Sequence, residues 1–244
     1  MIQLFNVILF QPLFNLLVFL YNVVPGHDLG IAIILLTILI KVLLYPLAVQ
    51  SIRSQKAMQD LQPKMEAIKK QYKDEKEKQA KAMMDLYKQE HVNPLSSCLP
   101  LLIQLPFLIA VYQVFISGIK SSSLNLLYPF IANPGTINVV SFGIIDWSKP
   151  QLILAALTGL AQFWQSKMLI TTRPPKNMPG SKDEDMMAMM NKQMLYFMPV
   201  MTVVIGASLP SGLVLYWLAM TLLTVLQQWF MFRKTKPAKL EVIS

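Results

Sequence analysis

Five stretches of this chain are apolar for long enough to cross a hydrocarbon core of about 30 Å at about 1.5 Å per helical residue. They cover residues 29–49, 98–117, 151–170, 193–209 and 212–232. Only Pro210, Ser211 and Gly212 separate the last two, which predicts a tight antiparallel pair of helices. The first 24 residues are also apolar, but Gln11, Asn15 and Asn22 fall within about 40° of one another at 100° per residue. One polar stripe on a greasy helix predicts an interfacial segment over residues 1–26, lying on the outer leaflet rather than forming a sixth span. Pro12 breaks or starts that helix. A signal peptide is not expected, since the charged start and the small-residue cleavage site are both missing.

Residues 51–96 have a different pattern. Met58, Leu61, Met65, Ile68 and Tyr72 recur at helical spacing, as do Ala80, Met83, Met84 and Tyr87. The polar linker Lys73-Asp74-Glu75-Lys76 lies between the two runs. Two amphipathic helices folded back on each other are expected, outside the membrane. A second methionine cluster (Met186, Met187, Met189, Met190 and Met194) follows the acidic run Asp183-Glu184-Asp185, which suits a helix start.

Composition agrees with a polytopic membrane protein. Of 244 residues 54% are hydrophobic and only 14% charged, against about 25% in soluble domains. The net charge of +9 is distributed by loop. Residues 1–40 carry no Lys or Arg and the 119–150 loop carries two, whereas residues 51–97 carry ten, residues 167–192 five and the tail from Arg233 four. Basic residues collect on the cytoplasmic side, so the N-terminus is expected outside and the C-terminus inside. An odd number of spans requires the same. The expected organisation is all-α: an interfacial helix (1–26), a first span (27–50), a cytoplasmic helical hairpin (51–96), four further spans (97–232) and a basic tail (233–244).

Lys41 is the one charge inside the run LGIAIILLTILIKVLL. A cation at membrane depth costs roughly 2.5–3.5 kcal/mol on insertion scales, and none of the five stretches holds a carboxylate to pair with it. Thr37 lies one turn away on the same face. Gln104, Gln162, Gln165, Gln193, Thr221, Thr224, Gln227 and Gln228 also fall in the cytoplasmic halves of their spans, while outer halves are almost wholly apolar. Two arrangements satisfy such groups: hydrogen bonds from helix to helix in a tight bundle, or a hydrated pocket open to the cytoplasm. Lys41 itself either snorkels to the inner interface or lines that pocket, and both readings stay open. The two histidines and the single cysteine, Cys98, make no metal-ligand set, and there is no phosphate loop or nucleophile–base pair. No enzyme, cofactor or metal is expected.

Several strings resemble one family. TILIKVLLYPL around Lys41, LQPKMEAIKKQY, MMDLYKQEHVNPLSSCLPLLIQLPF, FMPVMT and LPSGLVLYWLAMTLLTVLQQW, in that order, resemble the YidC insertases and their mitochondrial Oxa and chloroplast Albino relatives. The resemblance covers about residues 13–233. It implies a five-span core and a groove, open to lipid and cytoplasm, holding one positive charge on the first span. Lys41 stands where the family's arginine normally sits; Thr37, Trp217 and, through a looser match, Gln165 occupy substrate-facing positions. Gln104, Gln162 and Tyr216 complete the expected groove. Lys for Arg keeps the charge but removes the bidentate fork. The chain lacks a large outer domain and a lipoprotein cysteine near its start, so a minimal form is expected. Implied partners are nascent membrane proteins, lipids and the Sec translocon, at the bacterial plasma membrane. The basic tail (Arg233, Lys234, Lys236, Lys239) suits phosphate neutralisation on ribosomal RNA, though inside-loop topology explains the same charges. The rival reading is a small transporter or channel in which Lys41 binds an anionic solute; matching halves, common in transporters, are not seen. A purely structural scaffold would leave Lys41 dispensable.

Overall fold

The computed structural model describes residues 2–73, 75–93, 99–118, 121–141, 143–169 and 193–234. The second methionine cluster up to Met190 and its acidic run lie outside them, as do Cys98, Asp74 and the tail beyond Lys234.

The regular structure of the described residues is helical except for one two-residue strand pair. A short helix α1 (Ile2–Phe5) runs through a π turn (Asn6–Phe10) into α2 (Gln11–Val23) without a break in backbone direction. A turn with Gly26 at φ 75° leads to α3 (Leu29–Leu43), which starts where the Asp28 carboxylate accepts the Ile31 amide at 2.9 Å. Such a cap satisfies an amide that has no partner in the first helical turn.

α3 ends at Leu43, six residues short of the expected boundary at residue 49. The chain bends by 70° there and continues as α4 (Tyr45–Asp60). Pro46 in the first turn of α4 explains the break, since it offers no amide and clashes with the preceding turn. The first polar helix therefore begins at Tyr45 rather than at residue 51. α5 (Gln62–Gln71) and α6 (Lys76–Gln89) pack against each other through Leu61, Met65 and Leu86, flanked by Ile68, Met83, Tyr87 and Val92. Lys64 joins Glu90 at 2.5 Å across the pair. Met84, expected on this face, is exposed, and Leu86 takes the buried place.

α7 (Leu99–Gln113) continues into a π turn (Val114–Gly118). Beyond it a loop carries strands β1 (Val140–Ser141) and β2 (Ile145–Asp146), paired antiparallel. α8 (Leu152–Leu169), α9 (Met198–Gly206, preceded by a π turn Gln193–Phe197) and α10 (Ser211–Lys234) complete the fold. α8 packs on both α9 and α10, and α3 on α10 and α2. Close approach needs small residues: at Gly159 of α8 a Cβ would fall on the Val203 side chain and lie 3.0 Å from the Pro199 carbonyl oxygen.

Among the described residues two helices are long and apolar enough to cross a membrane, Gln3–Val23 and Ser211–Arg233, or three if the bent pair α3 and α4 is one span. The segment expected to be interfacial is thus one of the two. Its polar stripe is occupied. Asn15 accepts the Tyr128 amide at 2.6 Å and donates to the Leu126 carbonyl at 3.1 Å; Gln11 donates to the same carbonyl, and Asn22 to that of Ala132. The Tyr21 hydroxyl accepts the Asn138 amide. All of these partners belong to the loop between α7 and α8. The same loop seals the start of α10: the Ser211 and Gly212 amides donate to the carbonyls of Lys149 and Trp147, and the Ser211 hydroxyl to that of Asp146. Trp147 packs against Gly30 of α3 and donates to the Ser141 hydroxyl. Below this plug, Phe14, Leu17, Leu29, Ile33, Val111, Val114 and Leu213 form one buried cluster.

The apolar helices are apolar outside as well as inside. α3 buries Ala32, Ile33, Leu36 and Ile40, yet exposes Ile34, Leu35, Ile38 and Leu39. Only a hydrocarbon solvent makes such a helix economical.

Asn15→Leu should free the Tyr128 amide and the Leu126 carbonyl from their partner, costing about 1–3 kcal/mol and lowering the thermal midpoint of the purified protein. Gly159→Val should cost a similar amount through overpacking against Pro199, about 1–3 kcal/mol; an unchanged midpoint would contradict the α8–α9 contact.

Candidate functional site

The site is built where the last turn of α3 meets α4, α7, α8 and α10. The Lys41 ammonium donates to the Thr224 hydroxyl at 2.8 Å, and that hydroxyl donates to the Met220 carbonyl at 2.8 Å. Thr224 therefore turns a lone pair toward the cation. Lys41 is half-buried, and its two other N–H bonds have no partner among the described residues. It forms no ion pair with any described carboxylate.

Lys41 stands on the wall of a partly open cavity of about 300 Å³. Gln104 from α7, Gln165 from α8, and Trp217, Thr221, Thr224 and Gln228 from α10 share that wall. The α10 residues follow one another at four, three and four positions, which puts them on one helical face. The other wall is α4, with Leu44, Leu47, Ala48, Ser51, Ile52 and Gln55. The 70° bend at Leu44 places α4 here; a straight continuation of α3 would have carried it past.

Of the residues expected from sequence, Lys41, Gln104, Gln165 and Trp217 come together on this wall. Tyr216 lies behind it, fully buried, accepting the Gln104 amide at 2.9 Å. Thr37 is fully buried and donates to the Ile33 carbonyl of its own helix at 2.7 Å, apart from the cavity. Gln162 is also absent from the wall. It accepts from the Thr202 hydroxyl and so ties α8 to α9. Thr221, Thr224 and Gln228, expected among the polar residues of the span but not in the groove set, share the Trp217 face at helical spacing and line the cavity. Ser51 and Gln55 were missed, because nothing in their own segment indicates that α4 turns back under the bundle.

Six buried polar atoms have no hydrogen-bond partner among the described residues: Ser51 Oγ, Gln59 Oε1, and both amide atoms of Gln227 and Gln228. All lie on α4 or the C-terminal part of α10. Each uncompensated group of this kind costs about 1–3 kcal/mol. The end of the bundle around Lys41 therefore has a surplus of donors and acceptors. The opposite end, packed around Phe14, Ile33 and Leu213, has no such atom among the described residues. Among the described residues no group of His, Cys, Asp and Glu could hold a metal ion.

Comparison with known proteins matches residues 19–239 to the family described as 60Kd inner membrane protein. A protein named membrane protein insertase YidC from Fusobacterium nucleatum is 36% identical over 228 residues, covering 93% of this chain and 98% of that protein. A protein of the same name from Francisella tularensis subsp. novicida is 39% identical over 206 residues; the match covers 84% of this chain but 32% of the longer relative. The chain belongs to the YidC/Oxa family of 60Kd inner membrane proteins.

Proposed function

We propose that this bacterial membrane protein inserts other membrane proteins, using the cavity beside Lys41 as a hydrophilic groove open to the cytoplasm. The observation that carries the reading is an ammonium with two unspent donors, on a wall of glutamines and threonines, within an otherwise hydrocarbon-facing bundle. The two insertase relatives support it. A client that must pass a short acidic or polar segment outward meets a barrier of several kcal/mol per charged group in hydrocarbon. A wet groove reaching past mid-membrane shortens the dry path. Lys41 attracts the client's carboxylates, more strongly where the dielectric is low. The client's apolar helices then leave into lipid, driven by burial at about 25 cal/mol per Å². No nucleotide is required: partitioning supplies the driving force, aided by the membrane potential at about 2.3 kcal/mol per charge per 100 mV.

The proposed topology has five spans, formed by α3, α7, α8, α9 with its π turn, and α10, with the N-terminus outside and the C-terminus inside. Charge placement supports it. α1 and α2 are taken as interfacial, because Gln11 and Asn22, at opposite ends of the stripe, meet one and the same outer loop. A helix crossing the bilayer would have only one end there. The α5–α6 pair is the cytoplasmic hairpin. The Sec translocon is a proposed partner on the family resemblance, and the ribosome on the basic charges of the α5–α6 pair and the tail.

Lys41→Ala should reduce insertion of a short acidic-tailed client into proteoliposomes roughly tenfold or more, the loss of one charge-assisted contact, while abundance stays near normal. Lys41→Arg should insert normally. Equal insertion by the Ala variant, or anion flux through the wild-type protein, would overturn the reading in favour of a scaffold or a transporter. With Cys98 replaced by Ser, thiols at 165 and 217 should react with water-soluble reagents and thiols at 33 and 213 should not. Spin labels at the exposed Ile8 and Phe19 should report similar membrane depths; a spanning helix would separate them by about 16 Å.

A further inference from the structure

Lys41 also borders a second cavity, of about 750 Å³, between α4 and the inner end of α10. Arg53 and Lys56 stand on its α4 wall; Leu226, Phe230 and Phe232 stand on the α10 wall. Three cations thus meet one carboxylate, Asp60, which Lys56 holds at 3.0 Å. Arg53 is exposed and has no ion-pair partner among the described residues. Gln227 also contributes to the wall, 8% exposed, with neither amide atom bonded to any described group. The depth of the cavity is marked on α10. The Arg233 guanidinium lies 4.4 Å from the Trp229 ring, and Trp229 meets Phe230 edge-on. Aromatic and basic residues at the end of an apolar helix mark the boundary between hydrocarbon and headgroups.

We propose that this cavity binds the headgroup phosphate of an anionic phospholipid, with Arg53 and Lys56 on the phosphate oxygens and the acyl chains along Leu226 and Phe230. The excess of positive charge selects a net anion over a zwitterion. The apolar α10 wall selects a lipid over a soluble phosphate, because an ion alone would leave Leu226, Phe230 and Phe232 facing water. The volume lies within the range of ordinary ligand sites. Arg53 offers a planar fork that matches two phosphate oxygens at once, and Gln227 gains a partner for its amide. The lipid so held would screen part of the charge near Lys41 and line one flank of the groove. The assignment requires only that the Arg233 end of α10 lies at the membrane boundary; it does not rest on insertion activity.

The test uses the full-length protein in neutral detergent, titrated with phosphatidylglycerol or phosphatidylcholine, with bound lipids counted by native mass spectrometry. Phosphatidylglycerol should bind preferentially. The double substitution Arg53→Gln with Lys56→Gln should weaken its retention roughly thirtyfold, about fivefold for each basic group near the surface. Lys69→Gln with Lys81→Gln, an equal loss of charge on the α5–α6 pair, should leave retention unchanged, and Arg53→Lys should retain most of it. Equal weakening by both double variants, or no preference over phosphatidylcholine, would overturn the site. Displacement of the lipid by glycerol 3-phosphate would overturn lipid in favour of free phosphate, and displacement by a short acidic apolar peptide would overturn it in favour of a client. If the double variant does not fold, the exposed Arg53→Gln alone must show the fivefold loss. Because no client is present, a failure here is distinct from a failure of insertion.

Discussion

A cation placed in an apolar helix must find polar neighbours within reach of its own stem, and that need organises the end of the bundle around Lys41. Lys41 has no carboxylate to pair with among the described residues. It takes one hydroxyl, Thr224, whose own proton is committed to the Met220 carbonyl. One neutral acceptor does not replace the hydration shell of an ammonium. The arrangement persists because the remaining donors face a cavity rather than hydrocarbon, and because Gln104, Gln165 and Gln228 add polarity to the same wall. Removing the cavity would leave an unpaired charge inside the bilayer.

The opposite end of the bundle, at the loop between α7 and α8, obeys the opposite constraint. Backbone ends that would be orphaned there are satisfied one by one: the first amides of α10 by carbonyls of the loop at 147–149, the loop's own amides and carbonyls by Asn15, Asn22 and Tyr21. With the polar groups spent on one another, Phe14, Ile33 and Leu213 close the remaining space. The end of the bundle at the loop between α7 and α8 is thus saturated, whereas the end around Lys41 keeps unpaired polar atoms among the described residues.

The bend at Leu44 links the two cavities. It turns α4 beneath the bundle, so that one face of α4 (Ser51, Gln55) completes the groove and another (Arg53, Lys56) faces the inner end of α10. Lys41, in the last turn of α3, is the residue common to both. A lipid phosphate on one side and a client carboxylate on the other would compete for the same field. On the proposed reading, the affinity of the groove for acidic segments would be tied to the lipid held beside it.

The sequence by itself determined the apolar segments, the sign of each loop and the singular position of Lys41, because hydropathy and charge are local properties that a bilayer reads directly. It also marked the Gln11–Asn15–Asn22 stripe and four of the seven residues proposed for the groove that do line the cavity. Tertiary structure decided the rest. Thr37 satisfies its hydroxyl within its own helix, and Gln162 spends its amide on Thr202, since each has a nearer partner than the cavity. Thr224 and Ser51 join Lys41 only because α10 and the bent α4 converge on it, and side-chain pairings 183 residues apart leave no trace in local periodicity. Which polar group is spent on its neighbours and which is left over for a ligand depends on packing, and packing is where sequence patterning stops.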